Sequence, residues 1–434
     1  MNIAVLGTGY VGLVTAAGLS EFGHTVVGAD KVAAKIEAIR QGRVPIYEPG
    51  LDALLESNVR KGTLSFSPDL AASVRAADVI FVCVGTPQGD DGSADMSQIE
   101  EVSRLIAENL NGYKVVVEKS TVPVKTSVRI KRTISLYNKT GAEFDVASNP
   151  EFLREGAAVS DFLEPDRIIV GVESDRARDL LVRIYERFKD RVLVTNIATA
   201  ELIKHASNSF LSMKISYINL MANLCEQTEA DVEQVAKGMG FDPRIGPRFL
   251  RAGIGFGGSC FPKDIRALIK IGDDLGVDMS LLKETERINQ GRIRVFLDKL
   301  KTALWILKDK RIGVLGLAFK PETDDVRAAP SIRIIQALLD EGAAVRLHDP
   351  KAAENMKEFF PEDGVRTVYC DSPYKAAEGA NAVLVCTEWK EYADLDLGRL
   401  RGLMANPILV DGRNVFDPAA VAARGFEYFS IGRR

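Results

Sequence analysis

The stretch NIAVLGTGYVGLVTAAGLSEFGHTVVGAD, residues 2–30, decides the fold class of this chain. Two apolar runs flank a segment with helical spacing, which predicts a buried strand, a helix and a second strand over Asn2 to Leu6, Leu13 to Phe22 and Thr25 to Ala29. These three elements in this order begin a βαβ unit. The sequence therefore predicts an α/β protein with a parallel sheet that is covered on both faces.

Three glycines, Gly7, Gly9 and Gly12, lie between the first strand and the helix in the spacing G-x-G-x-x-G. Glycines at this spacing permit a tight turn and let a pyrophosphate approach the helix N-terminus closely. A purely structural turn is the alternative, but Asp30 at the end of the second strand favours a dinucleotide site. Because Asp30 would bind a ribose 2′-hydroxyl and repel a 2′-phosphate, we expect NAD rather than NADP. Lys31 is expected to be a solvated loop charge.

The alternation of strands and helices continues along the chain. Apolar runs that end at Gly, Pro or polar residues predict strands over Val79 to Val84, Val115 to Val117, Phe144 to Ala147 and Ile168 to Val172. From Thr199 to about Gly238 the spacing predicts one or two long helices that bridge two domains. A strand, a helix and a strand then follow over Lys310 to Phe319, Ser331 to Leu339 and Ala344 to His348. We expect two Rossmann-like parallel-sheet domains, 1–198 and 306–434, joined by a central helical region, 199–305.

The second βαβ pattern differs from the first at its turn. IAVLGTGYVG (3–12) aligns with IGVLGLAFKP (312–321), and Asp349 ends the second strand as Asp30 does. Ala318 replaces the second glycine, and Lys320 follows it. This turn should not hold a dinucleotide in the same way, and we expect it to bind something smaller and anionic.

Composition and charge narrow the possible functions. A chain of 434 residues is too long to fold around one hydrophobic core, so we expect two or three domains. Its content of 46% hydrophobic and 27% charged residues is typical of a soluble globular protein. The formal net charge of -4 and the pI near 5.7 argue against nucleic-acid binding. We expect no signal peptide, because the first apolar run meets Gly7 at once, and no membrane span, because no apolar run reaches about 18 residues.

The five cysteines are scattered and form no C-x-x-C pair, and the three histidines are far apart. Neither a disulfide framework nor a metal site is indicated, and a reducing cytoplasm is the expected location. Cys83, Cys225 and Cys386 lie in apolar stretches and are expected to be core residues.

The glycine-rich stretch GFGGSCFPKD, residues 255–264, leads into a helix that is predicted to start near Pro262. Cys260 would then lie at a helix N-terminus, where a thiol pKa is lowered, and the loop would let a substrate reach it. A nucleophilic thiolate and a small buried hydrophobe are both compatible with this segment alone.

Lys204 and Asn208 are four residues apart on the predicted long helix, so they share a face. Such a pair could stabilise an alkoxide or a thiohemiacetal oxyanion. A solvated helix face is the alternative for an isolated K-x-x-x-N. His205 points elsewhere on the helix and is expected to be structural.

With these residues in view, the chain resembles the UDP-glucose/GDP-mannose dehydrogenase family along nearly its whole length. The matching motifs are GTGYVG (7–12), PIYEPGL (45–51), VGTP (84–87), KSTVP (119–123), NPEFLREG (149–156), the Lys204 and Asn208 pair, GFGGSCFPKD (255–264), GLAFKPETDDVR (316–327) and DGRN (411–414). The resemblance implies an NAD domain, a central long-helix region that builds a homodimer, and a C-terminal nucleotide-sugar domain. Lys125 departs from the family pattern, in which glycine often follows KSTVPV.

The resemblance also implies contacts to cofactor and substrate. The NAD contacts would be Gly7, Gly9, Tyr10, Val11, Gly12, Asp30, Lys35, Thr86, Thr121, Glu155, Lys263 and Arg327. The nucleotide-sugar contacts would be Glu151, Phe152, Leu153, Arg154, Glu155, Lys204, Asn208, Arg244, Phe249, Leu250, Arg251, Gly257, Phe319, Lys320 and Arg413.

The reaction that the resemblance implies is a four-electron oxidation of a sugar C6 hydroxyl to a carboxylate with NAD. Cys260 would trap the aldehyde as a thiohemiacetal and then carry the thioester that water hydrolyses. Lys204 and Asn208 would hold the C6 oxygen as negative charge develops, and Asp264 would orient a water or take a proton there.

Hydrolysis of the thioester is assigned by the same resemblance to Glu155, with a water placed by Thr121. Glu151 would support acid-base chemistry or bind the substrate. A merely solvated acidic pair is the alternative for Glu151 and Glu155.

The choice of sugar also follows from resemblance. The stretches TEWKEY (387–392), RIGPRFLRAGIGFGGSC (244–260) and DGRN (411–414) are more similar to the UDP-glucose branch than to the GDP-mannose branch. They imply UDP-glucose as substrate and UDP-glucuronate as product, with GDP-mannose or UDP-N-acetylmannosamine oxidation as the alternative. Two further alternatives are a two-electron dehydrogenase of the 6-phosphogluconate type and a non-catalytic NAD-sensing protein. Cys260 argues against both, because neither function requires a thiol at the start of a helix.

Overall fold

The computed structural model describes residues 1–87, 89 and 94–433. The chain forms two compact units, Met1–Ser207 with Arg266–Gly276, and Asn208–Ile265 with Val277–Arg434. In these described ranges, no helix has both the length and the apolarity that crossing a membrane requires.

The first unit alternates strands and helices. Its strands are β1 Asn2–Leu6, β2 Thr25–Ala29, β3 Leu64–Ser67, β4 Val79–Val82, β5 Lys114–Glu118, β6 Phe144–Ser148, β7 Ile168–Gly171 and β8 Val192–Thr195. Its helices are α1 Tyr10–Glu21, α2 Ala33–Arg40, α3 Leu51–Arg60, α4 Leu70–Ala76, α5 Ser97–Glu108, α6 Thr126–Tyr137, α7 Ala158–Leu163 and α8 Asp175–Ile184, with a 3-10 helix at Glu186–Arg191. Helix α9, Ile197–Thr228, begins in this unit and continues into the second.

These strands form one sheet in the order β3-β2-β1-β4-β5-β6-β7-β8. Neighbouring strands pair in parallel, as expected, except β6 and β7, which meet antiparallel at Ser148 and Gly171. Helix α7, between β6 and β7 in sequence, has six residues. It rises about 9 Å, less than the roughly 16 Å of β6, so it does not return the chain to the start of the sheet.

Alternate residues of β1 face opposite sides of this sheet. Ile3 and Val5 pack into the hydrophobic cluster that includes α1, and Ala4 and Leu6 pack into the cluster that includes α6. All four are 1% exposed or less. Burial on both faces explains why β1 is an uninterrupted apolar run rather than an alternating one.

The second unit carries the other sheet. Its strands are β9 Arg311–Leu315, β10 Ala344–His348, β11 Thr367–Tyr369, β12 Ala382–Val385, β13 Ile408–Asp411 and β14 Glu427–Phe429, in the parallel order β11-β10-β9-β12-β13-β14. Its helices are α10 Val232–Gly240, α12 Ser280–Leu304, α13 Pro330–Asp340, α14 Ala353–Lys357, α15 Pro373–Ala377, α16 Lys390–Ala393, α17 Leu397–Leu403 and α18 Pro418–Ala423. Helix α11, Phe261–Asp274, contributes residues to both units.

The two sheets confirm the expected pair of Rossmann-like folds and the helical region between them. Side-chain caps fix the starts of several helices, because an Asp or Ser oxygen accepts a first-turn N–H that would otherwise have no partner. Such caps precede α4, α8, α10, α17 and α18, at Asp69, Ser174, Asp231, Asp396 and Asp417.

The turn after β9 differs from the turn after β1, as the sequence predicts. Residues 7–9 separate β1 from α1, whereas residues 316–329 separate β9 from α13. The N–H groups of Leu317 and Ala318 donate to Asp349 Oδ2 at 2.7 and 3.0 Å. Since no helix follows this turn at once, it lacks the helix N-terminus at which the first turn can bind a pyrophosphate.

Candidate active site

The glycine turn after β1 leaves space at the N-terminus of α1. A Cβ on Gly7, which has a φ of +98°, would lie 2.7 Å from Cys83 O, and one on Gly12 would lie 1.8 Å from Gly7 O. Gly9 is the N-cap of α1, and a Cβ on it would meet nothing within 4 Å. The protein thus needs the first and third glycines for its own packing, and the space at the second fits a bound pyrophosphate. Tyr10 and Val11 are half-buried beside it.

Asp30 lies at the end of β2 as an ionised acceptor. Its Oδ2 accepts hydrogen bonds from Thr8 N at 3.0 Å, Thr8 Oγ1 at 2.9 Å and Lys35 Nζ at 3.0 Å. Burial opposes ionisation of Asp30, but the hydrogen bonds from Thr8, Lys35 and Val32 outweigh it and hold the pKa below the ordinary value. Lys31 points to solvent, 60% exposed, and pairs with Glu101. A negative carboxylate at this position suits a ribose hydroxyl and opposes a phosphate.

Two predicted NAD contacts meet at the carboxyl edge of the first sheet. Thr86 follows β4, Thr121 follows β5, and Thr86 Oγ1 donates to Thr121 O at 2.9 Å. The carboxyl edge of a parallel sheet is where such folds bind ligands.

A carboxylate that the sequence did not single out anchors the segment next to Glu155. Glu48, 4% exposed, accepts a hydrogen bond from the Tyr10 hydroxyl. It also accepts hydrogen bonds from Gly156 N at 2.6 Å and Ala158 N at 2.7 Å. Burial, followed by the hydrogen bond to Glu48, raises the pKa of Tyr10 well above its ordinary value. Glu48 lies in the motif PIYEPGL, which was the signal available in the sequence.

Lys204 and Glu151 form a buried ion pair. Lys204 Nζ donates to Glu151 Oε1 at 2.7 Å, and each side chain is 5% exposed. Leu153 N donates to Glu151 Oε2 at 2.6 Å, and the Phe152 ring centroid lies 5.4 Å from Lys204 Nζ. A solvated helix face and a solvated acidic residue, the two alternatives left open for Lys204 and Glu151, are therefore wrong. Glu155 is half-buried.

Asn208 lies one helical turn after Lys204 on α9 and meets Asp264. Asn208 Nδ2 donates to Asp264 Oδ2 at 2.6 Å, and Lys263 Nζ donates to Asp264 Oδ1 at 2.7 Å. Asp264 is 1% exposed and Asn208 is 7% exposed. The second unit therefore brings together three of the predicted residues.

Cys260 directly precedes α11, as predicted. Its carbonyl oxygen accepts the hydrogen bond from Asp264 N at 2.8 Å, so Cys260 is the N-cap residue of α11. Its side chain is half-buried, whereas Cys83, Cys225 and Cys386 are buried, as expected. The partial positive charge of a helix N-terminus favours the thiolate form of a cysteine placed there.

Several contacts fix the loop in front of Cys260. Asn289 on α12 accepts a hydrogen bond from Phe256 N at 2.8 Å and donates one to Phe256 O at 3.0 Å. Gly257 packs so closely that a Cβ on it would lie 2.3 Å from Ala328 O. Asn289 was not predictable from the sequence, because its partner Phe256 is 33 residues away and no motif marks it.

Arg413 joins the same loop to the carboxyl edge of the second sheet. Its guanidinium donates to Cys386 O at 2.9 Å, Gly255 O at 3.0 Å and Phe319 O at 3.4 Å. Glu388 Oε2 lies 3.5 Å from its Nε. Arg413 and Phe319, both predicted substrate contacts, are thus neighbours.

The other predicted substrate and cofactor contacts have mixed surroundings. Leu250 is 3% exposed and packs in the core of the second unit, and Phe249 has a positive φ of 65°. Four predicted contacts are exposed arginines, Arg154, Arg244, Arg251 and Arg327. Three of them form ion pairs with a nearby aspartate, Arg154 with Asp161, Arg244 with Asp242 and Arg327 with Asp325. Lys320 is half-buried, 5.3 Å from the Phe319 ring centroid.

Comparison with known proteins shows the family of the chain. Three models of the UDP-glucose/GDP-mannose dehydrogenase family match, the NAD binding domain over residues 1–189, the central domain over 198–291 and the UDP binding domain over 313–418. The chain belongs to the UDP-glucose/GDP-mannose dehydrogenase family. It is an NAD-dependent oxidoreductase, in agreement with the glycine turn and Asp30.

Individual relatives match over the full chain. The UDP-glucose 6-dehydrogenase of Rhizobium meliloti (strain 1021) is 46% identical, and the match covers 100% of both chains. The solved UDP-glucose dehydrogenase of the hyperthermophilic archaeon Pyrobaculum islandicum is 38% identical, with a TM-score of 0.93 over 100% of this chain and 98% of that chain. The solved UDP-D-ManNAc dehydrogenase of Pyrococcus horikoshii is 30% identical, with a TM-score of 0.88 over 100% of this chain and 99% of that chain.

Proposed function

We propose that this protein oxidises UDP-glucose at C6 to UDP-glucuronate. The observation that carries the proposal is Cys260 at the start of α11, with Asn208 and Asp264 hydrogen-bonded to each other in the same unit. A thiol is needed only if an aldehyde is to be held and oxidised again. The 46% identity to the UDP-glucose 6-dehydrogenase of Rhizobium meliloti supports the choice of sugar.

The cofactor site is proposed to lie at the turn after β1, with Asp30 and Lys35 near the ribose and Thr86 and Thr121 at the carboxyl edge of the sheet. Bound NAD supplies an acceptor for the hydride that leaves C6 in each oxidation. The space at Gly9, described above, is what allows a pyrophosphate to approach α1.

Cys260 acts after the first oxidation. Its sulfur adds to the C6 aldehyde carbon, and the C6 oxygen takes up a proton, so the product is a thiohemiacetal. Loss of the second hydride and of that proton leaves a thioester. Water then adds to the thioester carbonyl, the C–S bond breaks, and the carboxylate and the free thiol result.

Charge on the C6 oxygen is stabilised by side chains of α9. Lys204 offers an ammonium group, and Asn208 has a second amide N–H besides the one that it donates to Asp264. Because Asp264 is held by both Asn208 and Lys263, it is fixed to orient a water or accept a proton.

Hydrolysis of the thioester is proposed to use Glu155 as the base and Thr121 to place the water. Glu151 has a supporting role through its ion pair with Lys204. The anchoring of Gly156 by Glu48 limits the movement of the neighbouring Glu155.

We also propose that the chain has three functional segments, 1–198, 199–305 and 306–434. The central helices are proposed to form the interface of a homodimer. Within the second unit, α9 exposes Phe210, Tyr217, Leu220 and Leu224 by 44–56%. Phe210, Tyr217 and Leu220 line an apolar cavity of about 500 Å³. Large exposed apolar side chains on one helix are typical of a protein interface. The five cysteines are free thiols, which suits the expected cytoplasmic location.

A substrate panel tests the proposed function. NADH formation is followed with UDP-glucose, GDP-mannose, UDP-N-acetylmannosamine and 6-phosphogluconate under the same conditions. We expect the highest kcat/KM with UDP-glucose, and a higher value with any of the other three contradicts the proposal. In a second arm, Cys260→Ser is incubated with UDP-glucose and NAD, and intact-mass measurement should show a retained sugar adduct, with Cys370→Ser as the matched control. Normal turnover by Cys260→Ser contradicts the role of the thiol.

A further inference from the structure

Lys119 is a buried cation that the proposed reaction has not used. It follows β5 and is 5% exposed. Its Nζ donates to two neutral oxygens of Asn149, the backbone oxygen at 3.3 Å and Oδ1 at 3.1 Å. The ring centroid of Phe162 lies 5.9 Å from the same Nζ. A charge in such surroundings is unfavourable unless nearby anions or a function require it.

Asn149 connects Lys119 to the segment that carries Glu151. Asn149 N donates to Glu118 O at 2.8 Å, and its Nδ2 donates to Ile169 O at 2.7 Å. Its Oδ1 also accepts a hydrogen bond from the Tyr185 hydroxyl at 2.6 Å. Asn149 is therefore held on every polar side and starts the rigid segment that carries Glu151, two residues later.

The charges around Lys119 do not cancel. Lys204 and Glu151 neutralise each other at 2.7 Å, and Lys119 interacts electrostatically with both. Cys83 faces Lys119 from the end of β4, but burial raises the pKa of its thiol to about 12. Burial likewise raises the pKa of Tyr185 well above its ordinary value. With both of these groups neutral, Lys119 gives the cluster of Lys119, Glu151 and Lys204 a net positive charge.

We propose that Lys119 is a positioning residue for the oxidation at C6, because its charge makes the cluster of Lys119, Glu151 and Lys204 net positive, and this positive charge stabilises an oxyanion of the substrate at Lys204. Without Lys119, the Lys204–Glu151 pair would be neutral and would attract a developing oxyanion weakly. The inference rests on the proposed function, since it is there that Lys204 acts on the C6 oxygen.

A purely structural role predicts different properties. Holding Asn149 requires only a neutral donor, and Asn149 already has Tyr185 and Glu118 as partners. Burial lowers the pKa of Lys119 to about 8, although Cys83 and Glu151 partly oppose this effect. The ammonium group therefore loses its proton as the pH rises through about 8, and the cluster loses its net charge with it. The rate should fall in the same range.

The chain provides a matched control at the other end of β5. Lys114 is 4% exposed, and its Nζ also donates to backbone oxygens, Arg75 O at 3.2 Å and Ala77 O at 2.5 Å. Burial lowers its pKa too. Lys114 is thus a buried lysine on the same strand, at the edge opposite to Glu151.

The test compares Lys119→Met, Lys119→Arg and Lys114→Met with the unchanged protein. For each, kcat and KM for UDP-glucose are measured at saturating NAD from about pH 6 to pH 10. At neutral pH we expect Lys119→Met to lower kcat roughly tenfold with little change in KM, and to remove the decline near pH 8. Lys119→Arg should keep kcat and move the decline to higher pH, because guanidinium keeps its proton. Lys114→Met should retain both kcat and the decline.

Two results overturn the inference about Lys119. One is a Lys119→Met variant with unchanged kcat and pH profile, and the other is a uniform loss of activity in which the decline near pH 8 remains. If Lys119→Met does not fold, the alkaline activity of Lys119→Arg decides alone, because an unmoved decline overturns the inference. Failure of the proposed function is distinguishable, since the unchanged protein would then form no NADH from UDP-glucose.

Discussion

Removal of the ammonium group of Lys204 should leave the buried carboxylate of Glu151 without its ion-pair partner. Both side chains are 5% exposed, and the other partner of the carboxylate is Leu153 N at 2.6 Å. Lys119, whose Nζ is bound to Asn149, compensates the carboxylate only in part, so we expect Lys204→Met to lower the free energy of unfolding by about 3 kcal/mol. Removing both charges, in Lys204→Met with Glu151→Gln, should cost less than the sum of the single changes by about 2–3 kcal/mol.

The assay is urea unfolding of the four proteins of this double-mutant cycle, without cofactor or substrate. The exposed pair of Lys61 and Glu21, at 52% and 32% exposure, provides a control cycle in which the coupling should be much smaller. Equal coupling in the two cycles would refute this reasoning.

Three further predictions concern other parts of the site. Lys125 has a φ of 75°, a left-handed conformation that glycine adopts without strain, so Lys125→Gly should raise the free energy of unfolding by about 1 kcal/mol in thermal or urea unfolding; a loss of stability would contradict this. Asn289→Ala removes both hydrogen bonds to Phe256 and should lower kcat roughly tenfold by loosening the loop before Cys260, whereas an unchanged kcat argues against a positioning role for Asn289. Asp30→Ala removes the acceptor for the ribose hydroxyl and the repulsion of a 2′-phosphate, so the ratio of kcat/KM for NAD to that for NADP should fall at least roughly tenfold; an unchanged ratio would show that Asp30 does not select the cofactor.

The local patterns of the sequence predicted the framework well. The bounds of β1, β2 and β10 are those expected from the apolar runs, and the glycine turn lies before α1 as its spacing requires. These features depend on residues close together in sequence, where strand and helix periodicities apply directly. Cys260 at the start of α11 was predictable for the same reason.

Contacts between distant segments were not predictable in this way. Glu48 binds Gly156 and Ala158, and Asn289 binds Phe256, but neither pairing leaves a local pattern. The antiparallel pairing of β6 and β7 depends on how far α7 carries the chain, which composition does not reveal. Lys119 lies in the family motif KSTVP, but its contact with Asn149, 30 residues later in the chain, could not be predicted from that motif.

Lys125 illustrates the gain from combining sequence and structure. Members of the family often have glycine at this position, and the reason for that preference could not be predicted from the sequence. The positive φ and the role of Lys125 as the N-cap of α6 supply that reason. Lys125 N donates to Glu201 Oε2 at 2.6 Å, a contact that any residue here could make through its backbone.

The proposed function requires a single site that carries out two oxidations, with Cys260 holding the intermediate. It is tested most directly by the number of NADH molecules formed for each molecule of limiting UDP-glucose, read by absorbance with excess NAD. We expect about two NADH per sugar, because the aldehyde remains on the enzyme until the second hydride has left. About one NADH per sugar, with release of free aldehyde, would contradict it.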